Sequence, residues 1–436
     1  MFALPLTLWM TLAPAQELSE PAGRRLTLRE AMALAFDRNL ALAQARIEVP
    51  AAEANRRLYR SAVLPHLSVN GSVVRNSAEV SFGPPDDVRT ILPLLSWDVR
   101  VNVSQPLFAG FRDLKAYRQS KIGIDSAREG VRFASDQVLL EASRQFLLAL
   151  QAEALIDVEG RNLELARRRR EQATALYEAG ETTQVDVLRA EADIKAAERQ
   201  VVAAERSREV AVSELRIALA LDENLALVAP VGEDRAVPLV PAEPELLSQA
   251  FRARPEMRQA EYSIESAKLE VEKQRGAYYP VVTADAGYVR QATTFPSQSY
   301  GFGAVRATVP IYQGGEIAAR VAIAEEREKQ ANLVLEETRR VVREDVRIAL
   351  FDLGASRTNL ALAQEQLRTA EAEYAQTSEL YRNQELTSLD LQTSEAALTA
   401  ARRGVATGEL LVYAAEVQVW FVAGTLTEVA LNQETP

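Results

Sequence analysis

From Leu114 to Leu176, apolar and small residues recur at alternating steps of three and four, as in Ile124, Ala127, Val131, Ala134 and Val138. That is helical spacing. Proline is absent between Pro106 and Pro230, and again between Pro310 and Pro436. Proline removes a backbone donor and clashes with the preceding turn, so its absence permits very long helices. At 1.5 Å per residue, some sixty residues extend roughly 90 Å. Helices of that length do not wrap into a globule and must lie side by side in coiled-coil fashion.

Between the prolines the period changes. In "LSWDVRVNVS", Leu95, Trp97, Val99, Val101 and Val103 alternate with Ser96, Asp98, Arg100, Asn102 and Ser104. "HLSVNGSVV" alternates likewise, with Leu67, Val69 and Val73 against Ser68, Asn70 and Ser72. Period two with one apolar and one polar face predicts strands near 66–75 and 94–105. "VVTADAGYV" and "YGFGAVRATV" give a weaker, glycine-rich version near 281–290 and 300–309. The connecting stretches are rich in Pro, Gly and Ser.

The pattern occurs twice. "LYEAGETTQVDVLRAEADI" (176–194) is echoed by "LYRNQELTSLDLQTSEAAL" (380–398), so Tyr177 and Tyr381, like Asp186 and Asp390, lie 204 residues apart. "QPLFAGF" around Pro106 matches "VPIYQGG" around Pro310 at the same offset. Upstream, 36–65 aligns with 251–280 at an offset of 215. The expected organisation is a first repeat over 26–221, a proline-rich linker over 222–245, a second repeat over 246–425 and a tail over 426–436. Each repeat reads as helix, strand, loop, strand and two helices. This is duplication of one large unit, because solenoid repeats have periods of about 20–50 residues. "LTLREAM" opens the first helix, with Thr27 and Glu30 at capping-box spacing.

Strands of about ten residues with an apolar and a polar face suit a membrane barrel, and a sandwich with one wet face suits them as well. Four strands cannot close a barrel, and open edges are not tolerated in lipid. In a membrane, further copies must supply the rest: two give eight strands, and three give twelve with room for a passage.

Composition narrows the chemistry. The net charge is −11, which argues against nucleic acid as the main partner. The one basic run, Arg167 to Arg170, reads as a solvated helix face. There is no Cys, and His66 is the only His. Disulfides, thiol catalysis and a Cys-based metal site are excluded, and no cofactor is expected. Residues 1–15 are apolar and end in Ala13-Pro14-Ala15, like a secretory signal without its basic opening residues. That stretch is too short to span a bilayer. The most apolar run elsewhere, from Leu410, is broken by Glu416 and Gln418, so no transmembrane helix is expected.

These residues resemble the TolC-like family of outer-membrane efflux proteins. The resemblance rests on "LTLREAMALAFDRNLALAQA", "PLFAGF" and "PIYQGG", the "LYEAGETTQVDVL" stretch with its copy, and the closing "LLVYAAEVQVWFVAG". It implies a mainly α fold with a small antiparallel β portion, in a homotrimer. Each chain would give four strands to a twelve-stranded barrel in outer-membrane lipid. The long antiparallel helices would form a trimeric α-barrel crossing the periplasm. An inner-membrane transporter and a periplasmic adaptor would dock on it.

The twin stretches then become turns at the periplasmic tip. Gly180 suits the left-handed residue that ends a helix; the second turn has Asn383-Gln384, and Asn also tolerates that conformation. Thr183 with Asp186, and Thr387 with Asp390, have N-cap spacing. The resemblance also makes Asp186, Tyr381 and Asp390 gate residues, and both roles stay open. Leu386 occupies the position of a gate arginine and Thr393 that of a second acidic ring residue. A gate held by packing and hydrogen bonds is therefore expected. Adaptor docking is expected around Gly180, Glu181 and Thr182, and around Gln384, Glu385 and Leu386.

Three classes compete: a passive conduit, a periplasmic coiled-coil scaffold without a membrane barrel, and an enzyme. The last is weakest, for want of a nucleotide motif or catalytic constellation.

Overall fold

The computed structural model describes residues 24–86, 88–223, 225–230, 237–292 and 299–431. The signal-like segment 1–15 lies outside the described residues. The chain opens with a short strand, β1 (Arg24–Leu26), and helix α1 (Leu28–Arg38). The Glu30 amide donates to Thr27 Oγ1 at 3.2 Å, and the Thr27 amide donates to Glu30 Oε2 at 2.9 Å, which closes the expected capping box.

The helix expected before each strand pair is two helices. At Asn39 (φ −66°, ψ 128°) the backbone becomes extended, and α2 runs Leu40–Ser61. Asn39 Oδ1 caps α2 by accepting from the Ala41 amide at 2.9 Å. The second repeat breaks at Arg254 (φ −61°, ψ 126°), between α5 (Glu243–Ala253) and α6 (Pro255–Arg275). Those positions are 215 residues apart, the offset at which the two segments align.

Four antiparallel strands follow in two pairs. β2 (His66–Arg75) pairs with β5 (Leu95–Ala109), and β7 (Val281–Gln291) with β8 (Ser299–Thr308). The β5–β7 pairing joins them in the order β2-β5-β7-β8. β5 outruns its expected end by four residues, with a register irregularity between Pro106 and Phe108, where the ring removes a ladder donor. Between β2 and β5 lies a hairpin of β3 (Val80–Phe82) and β4 (Arg89–Leu92).

Two helical hairpins complete the repeats. One joins α3 (Arg112–Glu178) to α4 (Gln184–Leu219), and the other α7 (Glu316–Arg382) to α8 (Ser388–Val422). α3 and α7 each have 67 residues, about 100 Å of helix. Each is entered through two successive left-handed residues: Gly110 and Phe111 (φ 62° and 61°) before α3, Gly314 and Gly315 (φ 58° and 84°) before α7. That sharp corner from strand to helix is why "AGF" and "QGG" recur. Within the expected linker, β6 (Leu225–Leu227) pairs in parallel with β1, and α9 (Leu426–Leu431) follows α8.

The core lies around the helix middles. Leu28, Met32, Phe146, Leu215 and Trp420 belong to one apolar cluster uniting α1, α3, α4 and α8. Leu246, Met257, Val346 and Val419 belong to a second, uniting α5, α6, α7 and α8. α8 is long and apolar enough to cross a membrane by length and composition. Its apolar residues serve both clusters instead, and its buried Glu416 pairs with Arg357 at 2.9 Å.

Candidate functional site: the tip of the helical hairpins

Both tip turns are built alike. α3 ends in a Schellman motif: the Gly180 amide donates to Tyr177 O at 2.9 Å and the Glu181 amide to Leu176 O at 2.8 Å. In the second turn the Gln384 amide donates to Tyr381 O at 3.0 Å and the Glu385 amide to Leu380 O at 2.9 Å. Gly180 has φ +76° and Gln384 has φ +65°. The left-handed residue is thus Gln384, the 204-offset counterpart of Gly180. Asn383 keeps φ −84°.

The carboxylates cap the returning helices. Asp186 Oδ2 accepts from Thr182 Oγ1 at 2.7 Å and Thr183 Oγ1 at 2.9 Å. The Thr182 hydroxyl, with Thr183 behind it, pulls the Asp186 carboxyl below its ordinary value. Asp390 Oδ2 accepts from the Thr387 hydroxyl at 2.6 Å and the Thr387 amide at 2.9 Å, which lower its pKa in the same way. Asp186 also faces the other hairpin, accepting from Ser388 Oγ at 3.5 Å. Tyr381 is buried, and burial first, then the Asp186 charge, raises its hydroxyl pKa. The tip therefore brings Asp186, Tyr381 and Gln384 together between the hairpins, with Gln384 Nε2 donating to Glu181 Oε2. The polar contacts of Asp390 are all with Thr387, within its own cap. Leu386 is half-buried in the turn, and Thr393 Oγ1 donates to Leu389 O on its own helix at 2.8 Å.

Above the turns, the face of α8 toward α3 and α4 carries a polar stripe. Gln384 in the turn and then Ser388, Gln392, Glu395, Thr399 and Arg403 on α8 step by three or four residues and meet Glu181, Asp186, Asp193, Arg169, Asn162 and Glu159 in turn. Its centre overturns one expectation. Arg167, Arg168 and Arg170 are exposed as a solvated face requires, but Arg169 is 6% exposed. Its guanidinium donates to Glu395 Oε2 at 2.6 Å across the seam and to Asp193 Oδ2 at 2.5 Å within its own hairpin. Burial raises the Glu395 carboxyl to about 7, with Arg169 opposing and Asp193 adding to the rise.

At the 204 offset Glu395 has the counterpart Glu191, whereas Arg169 and Asp193 have Glu373 and Ala397, so the duplication repeats only one member of the triad. No group of three or more potential metal-binding side chains occurs among the described residues.

Two helices about 100 Å long, each folded back by a helix of about half that length and continuous with a small antiparallel sheet, define the class of fold. Solved structures share more than nine-tenths of the chain path. CusC aligns at a TM-score of 0.79 and 17% identity, over 96% of this chain and 99% of its own. The Campylobacter jejuni CmeC outer membrane channel aligns at 0.76 and 18% identity, over 93% and 87%. The outer membrane efflux protein family matches residues 31–221 and 246–425, and the chain belongs to that family. The outer membrane efflux protein BepC of Brucella suis is 23% identical over 92% of this chain and 86% of its own length. The alkaline protease secretion protein AprF of Pseudomonas aeruginosa is 24% identical over 86% and 80%. The chain is an outer-membrane channel protein of efflux or secretion, which decides against both the scaffold and the enzyme.

Proposed function

We propose that three copies of the chain close into one tube. Each gives the four strands β2-β5-β7-β8 to a twelve-stranded barrel in outer-membrane lipid and two hairpins to a helical tunnel crossing the periplasm. The tube passively conducts cargo handed over by an inner-membrane transporter, and a periplasmic adaptor docks at the tip. The observation that carries this reading is the sheet itself: β2 and β8 are open edges, and Leu67, Val69 and Val73 on its apolar face are 66–73% exposed. Such an edge and face need sister strands and lipid.

The tip supports the same assembly. Tyr381 packs against its own chain's other hairpin, whereas its counterpart Tyr177 is 45% exposed. In a ring of six hairpins, Tyr177 meets the next protomer's Asp390 as Tyr381 meets Asp186. Asp186, Tyr381 and Asp390 then form the gate, held by packing and hydrogen bonds. Gly180, Glu181 and Thr182 with Gln384, Glu385 and Leu386 form the adaptor surface. Fractionation tests the assembly: detergent-stable trimers in the outer membrane support it, and a soluble monomer overturns it. In those trimers Asp390→Ala is expected to raise conductance and weaken cation preference, read from single-channel recordings. Crosslinks from Thr182 or Leu386 to the cognate adaptor test the docking surface.

A further inference from the structure

The seam between the two hairpins of one protomer changes character along its length. At mid-helix α8 meets α3 through Tyr413, Val417 and Trp420 against Phe146 and Leu147. Toward the tip it meets α3 and α4 through the polar stripe, with one small apolar cluster beside it in which Leu165 of α3 joins Leu398 and Ala401 of α8. An apolar seam resists opening because parting it exposes apolar surface. A polar seam exchanges its hydrogen bonds for water at small net cost. The tip half, with its smaller apolar contact, therefore parts at lower cost than the mid-helix half.

Within that half, Arg169 and Glu395 are each 6% exposed. One guanidinium stands between two carboxylates, so with both acids ionised the buried triad carries a net negative charge. Leaving is unequal for its members. Asp193 is on α4, in the same hairpin as Arg169, and only Glu395 is on α8. If the hairpins part, Arg169 keeps Asp193 and no cation is orphaned. Glu395 meets water, for which a cavity of about 190 Å³ lined by Asn162, Gln200 and Gln392 already leaves room beside it.

Resting on the tube reading above, we propose that Arg169, Asp193 and Glu395 form a proton-dependent latch: neutral Glu395 holds the hairpins of a protomer together, and ionised Glu395 lets α8 leave. The groups facing Glu395 are Arg169 from α3, Asp193 from α4, and Tyr374 and Tyr381 from α7. Both tyrosines have raised pKa values and stay neutral in the relevant range. Glu395 is raised to about 7 in the closed seam from 4.5 in water, so the closed seam binds the proton more tightly. The proton's contribution to closure is complete below about pH 4.5 and is lost as pH rises through about 7. Between those limits the ratio of open to closed rises by up to about tenfold per pH unit for each protomer.

Planar-bilayer recordings of the full-length trimer between pH 4.5 and 8 test this. The wild type is expected to open more at pH 8 than at pH 5. Glu395→Gln, a neutral isostere that still accepts from Arg169, is expected to stay at the pH 5 level throughout. Asp193→Asn removes the charge that helps raise Glu395, so its rise should be complete at lower pH than in the wild type. A Glu395→Gln profile superimposable on the wild type overturns the latch, as does an Asp193→Asn rise that is unmoved or moved to higher pH. A conducting wild type with a flat profile overturns the latch alone. A wild type that forms no conducting trimer overturns the tube reading and the latch with it.

Discussion

A left-handed residue ends each of the four hairpin helices, and the two that are glycine, Gly180 and Gly424, differ in what a side chain would meet. Gly180 has φ +76° with open space around it, whereas Gly424 has φ +71° with a built Cβ 2.7 Å from Arg254 Cα. Gly180→Ala should therefore cost only the backbone term, about 1 kcal/mol. Gly424→Ala adds an overlap with backbone at the break between α5 and α6, where Arg254 is itself fixed by Asp345 at 2.7 Å and Glu256 at 2.9 Å. Thermal unfolding of detergent-solubilised trimers should show a small drop in Tm for Gly180→Ala and a much larger one for Gly424→Ala. At this scale the sequence was legible where chemistry forces one residue type, as at Gly180, Thr183 and Asp186. It misled at Gln384, because Asn is the better left-handed former and stands next to it. It also misled at Arg169, because an arginine inside an RRRR run carries no mark of which one turns inward. Helical phase alone does not say where the partner acids lie.

Among elements, the returning helices α4 and α8 depend on their caps, and the caps depend on carboxylate charge. Thr387→Ala removes a hydroxyl that accepts from the Asp390 amide at 3.3 Å and donates to the Asp390 carboxylate. The expected cost is about 1 kcal/mol, confined to the tip and visible as faster amide exchange at the start of α8. The pH dependence follows from the sign of the shifts. Asp186 and Asp390 are both lowered in the fold, so their stabilisation is present above the ordinary aspartate value and disappears only as pH falls below it. Fraying of the caps therefore belongs to strongly acid solution. Asp186→Asn with Asp390→Asn should flatten that acid limb of tip exchange and leave the near-neutral window of Glu395 in place. The long helices were legible from period and missing proline, which act over many residues at once. The breaks at Asn39 and Arg254 were not, since an extended residue between two amphipathic helices barely disturbs the apolar rhythm.

For the molecule as a whole, the sheet has an apolar face that the other described residues leave exposed. Val101 lies mid-strand on β5, paired with Val69 on one side and Tyr288 on the other, and all three are exposed. Ser104 faces the opposite way, between His66 and Asp285. The β1–β6 pair and the β3–β4 hairpin escaped the sequence because three- and four-residue strands are too short to show a period, and β1 finds its partner some two hundred residues away. The long strands carried the two-faced pattern openly, yet that pattern by itself fits a half-wet sandwich as well as a barrel. In the proposed trimer the two faces meet different solvents, and one substitution can tell them apart. Val101→Arg would place a charge against the hydrocarbon three times in one barrel, at about 2–4 kcal/mol each near mid-bilayer. Ser104→Arg would instead place it opposite Asp285 on the lumen side. Heat-modifiable trimers in the outer-membrane fraction should be nearly lost for Val101→Arg and retained for Ser104→Arg. Equal recovery of both would mean that the apolar face does not meet lipid, and the barrel would have to be abandoned even with the helical tunnel intact.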